Sequence, residues 1–146
     1  MADYDYVIVG AGSAGGALAA RLAELGLASR VHFAGFVSDT DLPALYAGAA
    51  AYLFPSLYEG YGLPILEAMA CSTPVLASDR GSCPEAAGGH AAIADPEDIE
   101  ALAAGIASAV AMTPARRAAA LAYARTRTWE ATARGTLAVW REALER

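Results

Sequence analysis

Short apolar runs alternate along the chain with longer alanine-rich stretches, and most runs stop at glycine, proline or a small polar residue. Tyr4–Gly10 (YDYVIVG), Val31–Gly35, Ala51–Phe54, Pro74–Ala77 and His90–Ala94 are too short for helices. They lack a steady polar face, which is the pattern of parallel strands buried on both sides. Between them the pattern predicts an alanine-rich helix to about Leu25, a helix over Leu42–Ala50 with Asp41 as N-cap, and one from Leu63 to about Cys71. A short helix follows over Ser82–Ala87, stopped by Gly88-Gly89. Asp95 is expected to cap Pro96–Met112, and Thr113 to cap Pro114–Thr126, each with proline at the first position. Thr128 caps a last helix to Arg146, whose Ala131, Leu137, Val139, Trp140 and Leu144 are expected to lie over the domain. Alternating strands and helices imply an α/β fold with a parallel sheet and right-handed crossovers.

The stretch that organises the chain is Phe54–Ala77, FPSLYEGYGLPILEAMACSTPVLA. Pro55 and Ser56 end a strand, because proline has no amide for the ladder. In Glu59-Gly60-Tyr61-Gly62 two glycines let the backbone turn and come close to a ligand. Leu63 and Pro64 then open a helix. Amides around Gly62 to Leu66 point out of its N-terminus, an anion site worth roughly 0.3–1 kcal/mol at an exposed end. Glu59 and Glu67, with seven residues between them, bracket that site. Two carboxylates there would repel a bare phosphate. They suit a ligand that carries hydroxyls as well as phosphate, such as a sugar nucleotide.

A second glycine run, Gly10-Ala11-Gly12-Ser13-Ala14-Gly15, follows the first strand and opens a helix. That is the context a dinucleotide fingerprint needs: Gly10 for the turn, Gly12 for approach of a pyrophosphate, Gly15 for packing of helix on strand. A tight strand–helix turn without a ligand fits the same residues. The words DYVIVGAGSAGGALAARLAE resemble the N-terminus of FAD-dependent glucose–methanol–choline oxidoreductases, as far as Glu24. The resemblance makes Gly10, Gly12, Ser13 and Gly15 cofactor-binding candidates, for FAD or NAD. It also implies an acid at the end of the next strand, and Val31-His32-Phe33-Ala34-Gly35 has none there.

From about Leu25 onward the chain resembles a different family. VHFAGFVSDTDLPALYAGA, FPSLYEGYGLPILEAMACSTPV, SDRGSCPEAAGG and the closing TWEATA are similar to the C-terminal, donor-binding domain of GT-B-fold retaining glycosyltransferases, with their Glu-x7-Glu motif. The resemblance implies a nucleoside diphosphate sugar as donor and no required cofactor. It implies that Glu67 holds the ribose, that the catalytic candidate Glu59 sits by the donor sugar, and that the amides of Gly62 and Leu63 meet the diphosphate, beside Gly60 and Tyr61. It also implies an arginine and a lysine for the diphosphate, and this chain has no lysine. Arg80 is the best-placed cation, a solvated loop arginine being the plain reading. Glu85 either approaches the sugar or stabilises its own helix. Ser72 stands where the family usually has glycine, and serine at a positive φ there would cost ~1 kcal/mol.

Taken together, residues 1–146 are expected to form one Rossmann-like nucleotide-binding domain, a hybrid of a flavin-type strand–loop–helix (1–24) and part of a glycosyltransferase donor domain (25–146). By analogy with the family's strand order, less its first strand, the five-stranded sheet should run 2-1-3-4-5. Both glycine loops would then face one crevice where the order reverses. The family's acceptor-binding domain is expected to be missing and transfer by the chain alone to be slight. A scaffold with no ligand, either engineered or a gene fragment, is the remaining alternative.

Composition narrows the rest. The net charge is −6 and all ten basic residues are arginines, so nucleic acid is not an expected partner. No run approaches the ~20 apolar residues of a spanning helix. Asp3 and Asp5 with no nearby base do not read as a signal peptide, and a cytoplasmic location is expected. Cys71 and Cys83, without histidines at ligand spacing, suggest thiols and no metal site.

Overall fold

A computed structural model describes residues 24–145 and, as backbone, the strand at 6–9. The chain divides into two compact units, residues 1–42 and 43–146.

In the first unit, β1 (Tyr6–Val9) runs parallel to β2 (Val31–Gly35), with Tyr6 opposite Val31 and the register slipping between Ile8 and Val9. A single 3-10 turn, Ala28–Arg30, leads into β2. The chain leaves β2 through a turn in which Ser38 accepts the amides of Asp41 and Leu42 on its carbonyl. His32 and Phe33 are exposed, so β2 is not the doubly buried strand its composition suggests.

The second unit is built on a parallel three-stranded sheet in the order β3 (Tyr52–Phe54), β4 (Val75–Ser78), β5 (Ala92–Ala94). Tyr52 pairs with Val75, and Leu76 with Ala92. All four residues of central β4 are buried. The helices are α1 (Leu42–Gly48), α2 (Leu63–Ala70), α3 (Cys83–Ala87), α4 (Ile99–Val110), α5 (Pro114–Thr126) and α6 (Trp129–Leu144). Helix α2 packs on β3, β4, α3 and α5, while α4 packs on β4 and β5. The core comprises Ile65 and Met69 of α2, Val75 and Leu76 of β4, Ala94 of β5 and Ala109 of α4. The pairings 2-1 and 3-4-5 agree with the expected order. A ladder from β1 to β3, which would join them into one five-stranded sheet, is not among the described pairings.

Several helix ends fall where the sequence puts them, and the start of α4 is displaced. Thr113 and Thr128 cap α5 and α6, their hydroxyls accepting the amides of Arg116 and Ala131. Gly88, in the left-handed region, ends α3. Helix α4, however, starts three residues later than expected. Its cap is Asp98, whose carboxylate accepts the amides of Glu100 and Ala101. Asp95 is engaged elsewhere, by the Glu97 amide and by Arg80.

The C-terminal side of α2 is closed by a Schellman motif. Thr73 N–H bonds to Ala68 C=O (3.0 Å) and Ser72 N–H to Met69 C=O (2.9 Å), with Ser72 at φ 62°. The expected positive φ is therefore present, on a residue that carries a Cβ.

Of the α6 residues expected to lie over the domain, Leu137, Val139, Trp140 and Leu144 are exposed and Ala131 is half-buried, and no residue of the helix is buried.

Candidate functional site

The loop after β3 turns sharply at Gly62. With φ 95° and ψ 42° this residue occupies a backbone region costly for any side chain, and it serves as the N-cap of α2. A Cβ there would also stand 3.2 Å from Ile65 Cδ1. Ile65 N–H bonds back to Gly62 C=O at 3.0 Å. The amides of Gly62, which is buried, and of Leu63, which is exposed, precede that first helical bond, and Pro64 has none, so the start of α2 is the electropositive end of the helix. Ile65, Leu66, Ala68 and Met69 anchor the other side of the helix in the core. That anchoring leaves Leu63, Glu67 and Ala70 on the outward stripe, at spacings of four and three residues.

Glu67 is exposed but not unaccompanied. The Tyr46 hydroxyl, from α1, donates to Glu67 Oε2 at 3.2 Å. Tyr46 itself is buried, its carbonyl accepting the Thr73 hydroxyl at 2.6 Å. Its ring meets Tyr52 edge-on at 5.1 Å, and Tyr52 stacks on Phe54 at 5.9 Å. Burial first, and then the Glu67 charge, push the Tyr46 phenol up to about 12. Tyr52 is raised further still, by burial and by its neighbour Tyr46, with Glu67 and Glu59 adding to the effect. Both phenols are therefore neutral donors at any physiological pH.

Glu59 is half-buried, and its backbone is fastened across to the turn after β4: the Ser82 hydroxyl donates to Glu59 C=O at 3.1 Å. Its carboxylate contributes, after burial, to raising the Cys83 thiol. Gly60 is exposed and Tyr61 half-buried in the loop between the two glutamates. The structure thus brings Glu59, Gly60, Tyr61, Gly62, Leu63 and Glu67 together along one loop and helix.

Arg80 is near this turn but is already engaged. Its guanidinium pairs with Asp95 (2.8 Å), Asp79 (3.2 Å) and Glu97 (3.5 Å), and the Asp95 hydrogen bond is the main reason its ionisation is raised. Asp95 is held below the usual carboxylate range, chiefly by the Glu97 amide and then by Arg80. Glu85 lies in the first turn of α3, where a carboxylate suits the helix end, and its carbonyl accepts the Tyr123 hydroxyl at 3.1 Å. His90 lies outside β5, its ring 4.8 Å from that of Tyr123. Gly10, Gly12, Ser13 and Gly15 lie outside the described residues. Among the described residues no cluster of acids, histidines and cysteines could hold a metal ion, and no helix is long and apolar enough to cross a membrane.

Sequence reasoning missed Tyr46, the residue in contact with Glu67. It stands 21 positions away on a different helix, and its only local signal was one aromatic in an otherwise alanine-rich amphipathic segment.

The second unit is thus a parallel α/β unit in which a helix start is flanked by two glutamates. Comparison with known proteins gives the family. Residues 2–127 match the family described as Glycosyl transferases group 1, and the chain belongs to it. The match begins at residue 2 and so takes in the flavin-like glycine run as well.

Among curated relatives, the chain is 44% identical over 103 residues to the O-antigen chain mannosyltransferase B of Escherichia coli, covering 68% of this chain and 27% of that one. It is 36% identical over 137 residues to the MMP alpha-(1->4)-mannosyltransferase of Mycolicibacterium hassiacum, covering 86% and 32%. Among solved structures, Anabaena HepE in complex with UDP and glucose superposes with a TM-score of 0.73 at 26% identity, covering 94% of this chain and 40% of that one. The chain thus spans about a third of the length of these three proteins.

Proposed function

We propose that this chain is the donor-binding part of a retaining glycosyltransferase and holds a nucleoside diphosphate sugar at the start of α2. In this reading the amides of Gly62 and Leu63 meet the diphosphate, whose charge the helix end stabilises. Glu67 accepts from the ribose hydroxyls, Glu59 faces the sugar, and Gly60 and Tyr61 line the approach. Transfer with retention then depends mainly on stabilising the departing diphosphate.

The observation that carries the reading is the pairing of an electropositive turn at Gly62 with an outward glutamate one turn along the same helix, held by a buried tyrosine. That the HepE structure contains UDP and glucose supports the choice of ligand class.

The chain by itself is proposed to bind donor but transfer little sugar. It has no lysine, and Arg80 is shared among three carboxylates. The single-domain architecture, with one sheet in the order 2-1-3-4-5, is part of the same reading. So is the hybrid origin of residues 1–24, for which FAD on Gly10, Gly12, Ser13 and Gly15 is the rival ligand.

Titration calorimetry with UDP, GDP, ADP and FAD tests it. Binding of one nucleoside diphosphate, weakened at least tenfold by Glu67→Ala, is the expected result, a charge-assisted hydrogen bond being worth about that much. Flat titrations with all three diphosphates would overturn it, and FAD binding alone would move the site to the first glycine run.

A further inference from the structure

We propose that Tyr46 is a positioning residue for Glu67: its hydroxyl holds one carboxylate oxygen of Glu67 so that the other is presented to a ribose hydroxyl. The proposal rests on the donor-binding reading above.

Glu67 is exposed on the outer stripe of α2, and an exposed glutamate samples several rotamers. A carboxylate that must meet a ligand hydroxyl in one geometry gains from being held there beforehand. Tyr46 is suited to hold it, because a phenol has only two side-chain torsions and this one is fixed at both ends. Its backbone is pinned by the Thr73 hydroxyl at 2.6 Å, and Thr73 belongs to the motif that ends α2, the helix that bears Glu67. Its ring is braced edge-on by Tyr52, which Phe54 backs in turn. Its hydroxyl then reaches Glu67 Oε2 at 3.2 Å, leaving Oε1 to accept from elsewhere. Burial and the Glu67 charge keep the phenol protonated, so it remains a donor across the working pH range. Tyr46 touches no reacting atom in this scheme and acts through Glu67.

The test is a double-mutant cycle on the full chain, read by calorimetry with UDP and GDP. Tyr46→Phe removes the hydroxyl and keeps the ring. It is expected to weaken the bound diphosphate about tenfold, the usual worth of a hydrogen bond to a charged group. It is expected to add nothing in a Glu67→Ala background. The 2′,3′-dideoxy form of the same nucleoside diphosphate is expected to bind wild type and Tyr46→Phe equally, since it offers no hydroxyl to Glu67. A residue of merely structural importance would weaken both ligands alike and would act in both backgrounds, which would overturn the proposal. Unchanged binding by Tyr46→Phe beside a weakened Glu67→Ala overturns this inference alone. Absence of any diphosphate binding by the wild-type chain overturns it together with the donor-binding reading. Circular dichroism melting of Tyr46→Phe guards against loss of fold, and Tyr46→Trp is expected to bind no better than Tyr46→Phe.

Discussion

Gly105 of α4 lies directly against Leu76 of β4. A Cβ built on Gly105 would stand 2.6 Å from Leu76 Cδ1 and 3.5 Å from Ala94 Cβ, so the helix can approach the sheet only where it has no side chain. The contact seats α4 on the strand whose following turn holds the Glu59 loop through Ser82. Gly105→Ala is expected to cost about 1–2 kcal/mol: overpacking of roughly 1–3, offset in part by better helix propensity. A Cβ on Gly135, in α6, would meet nothing within 4 Å among the described residues, and Gly135→Ala is expected to stabilise by up to about 1 kcal/mol. Urea unfolding of the two variants would measure the contrast, and equal effects would refute it.

Ser72 holds a positive φ of 62° at the close of α2. A Cβ in that region is strained by about 1 kcal/mol, while glycine there gives back part of the gain through a freer unfolded chain. Ser72→Gly is expected to raise stability by up to about 0.5 kcal/mol, and Ser72→Val to lower it. Thermal melts decide the point, and a destabilised Ser72→Gly would mean that the serine side chain makes a compensating contact.

The cap of α4 is Asp98, so Asp98→Ala is expected to cost about 1 kcal/mol and Asp98→Asn very little. Chemical denaturation of the two variants separates capping from charge. Similar losses for both would show that the negative charge, rather than the hydrogen bonds to Glu100 and Ala101, is what the helix end uses.

Tyr46 gives the fold an alkaline limit. Its phenol ionises near pH 10 when unfolded and is raised to about 12 in the fold. The folded state therefore binds this proton more tightly. The stability it contributes is fully present below pH 10 and is lost as pH rises toward 12. Unfolding free energies between pH 9 and 12 should fall less steeply in Tyr46→Phe than in the wild type. An unchanged slope would contradict the burial assigned to this hydroxyl.

Much of this was legible in the sequence because it is local. Pro64 after a glycine pair, Thr113 before Pro114, and Thr128 before Trp129 each carry their instruction within four residues, and each is where the sequence put it. The Glu59–Glu67 spacing likewise set both carboxylates beside one helix start.

What failed was long-range competition. Asp95 was the expected cap, but its carboxylate is taken up by the Glu97 amide and by Arg80, fifteen residues earlier. The Tyr46–Glu67 contact joins two helices, and a lone aromatic in the first does not name its partner in the second. Helix α6 has a periodic apolar stripe that promised burial, but periodicity shows which side is apolar, not what covers it. The pairing of β1 with β2 was implied by the strand order of the resembled family, whereas a ladder between β1 and β3 would depend on contacts no local pattern encodes.

The central claim is that an anionic nucleotide seats on the first turn of α2. Assigned amide resonances of the labelled chain, followed during addition of UDP or GDP, report on it directly. The largest shifts should fall on Gly62 and Leu63, with smaller ones at Glu67. Shifts confined to Gly10, Gly12 and Gly15, or none at Gly62 and Leu63 at saturating nucleotide, would contradict it.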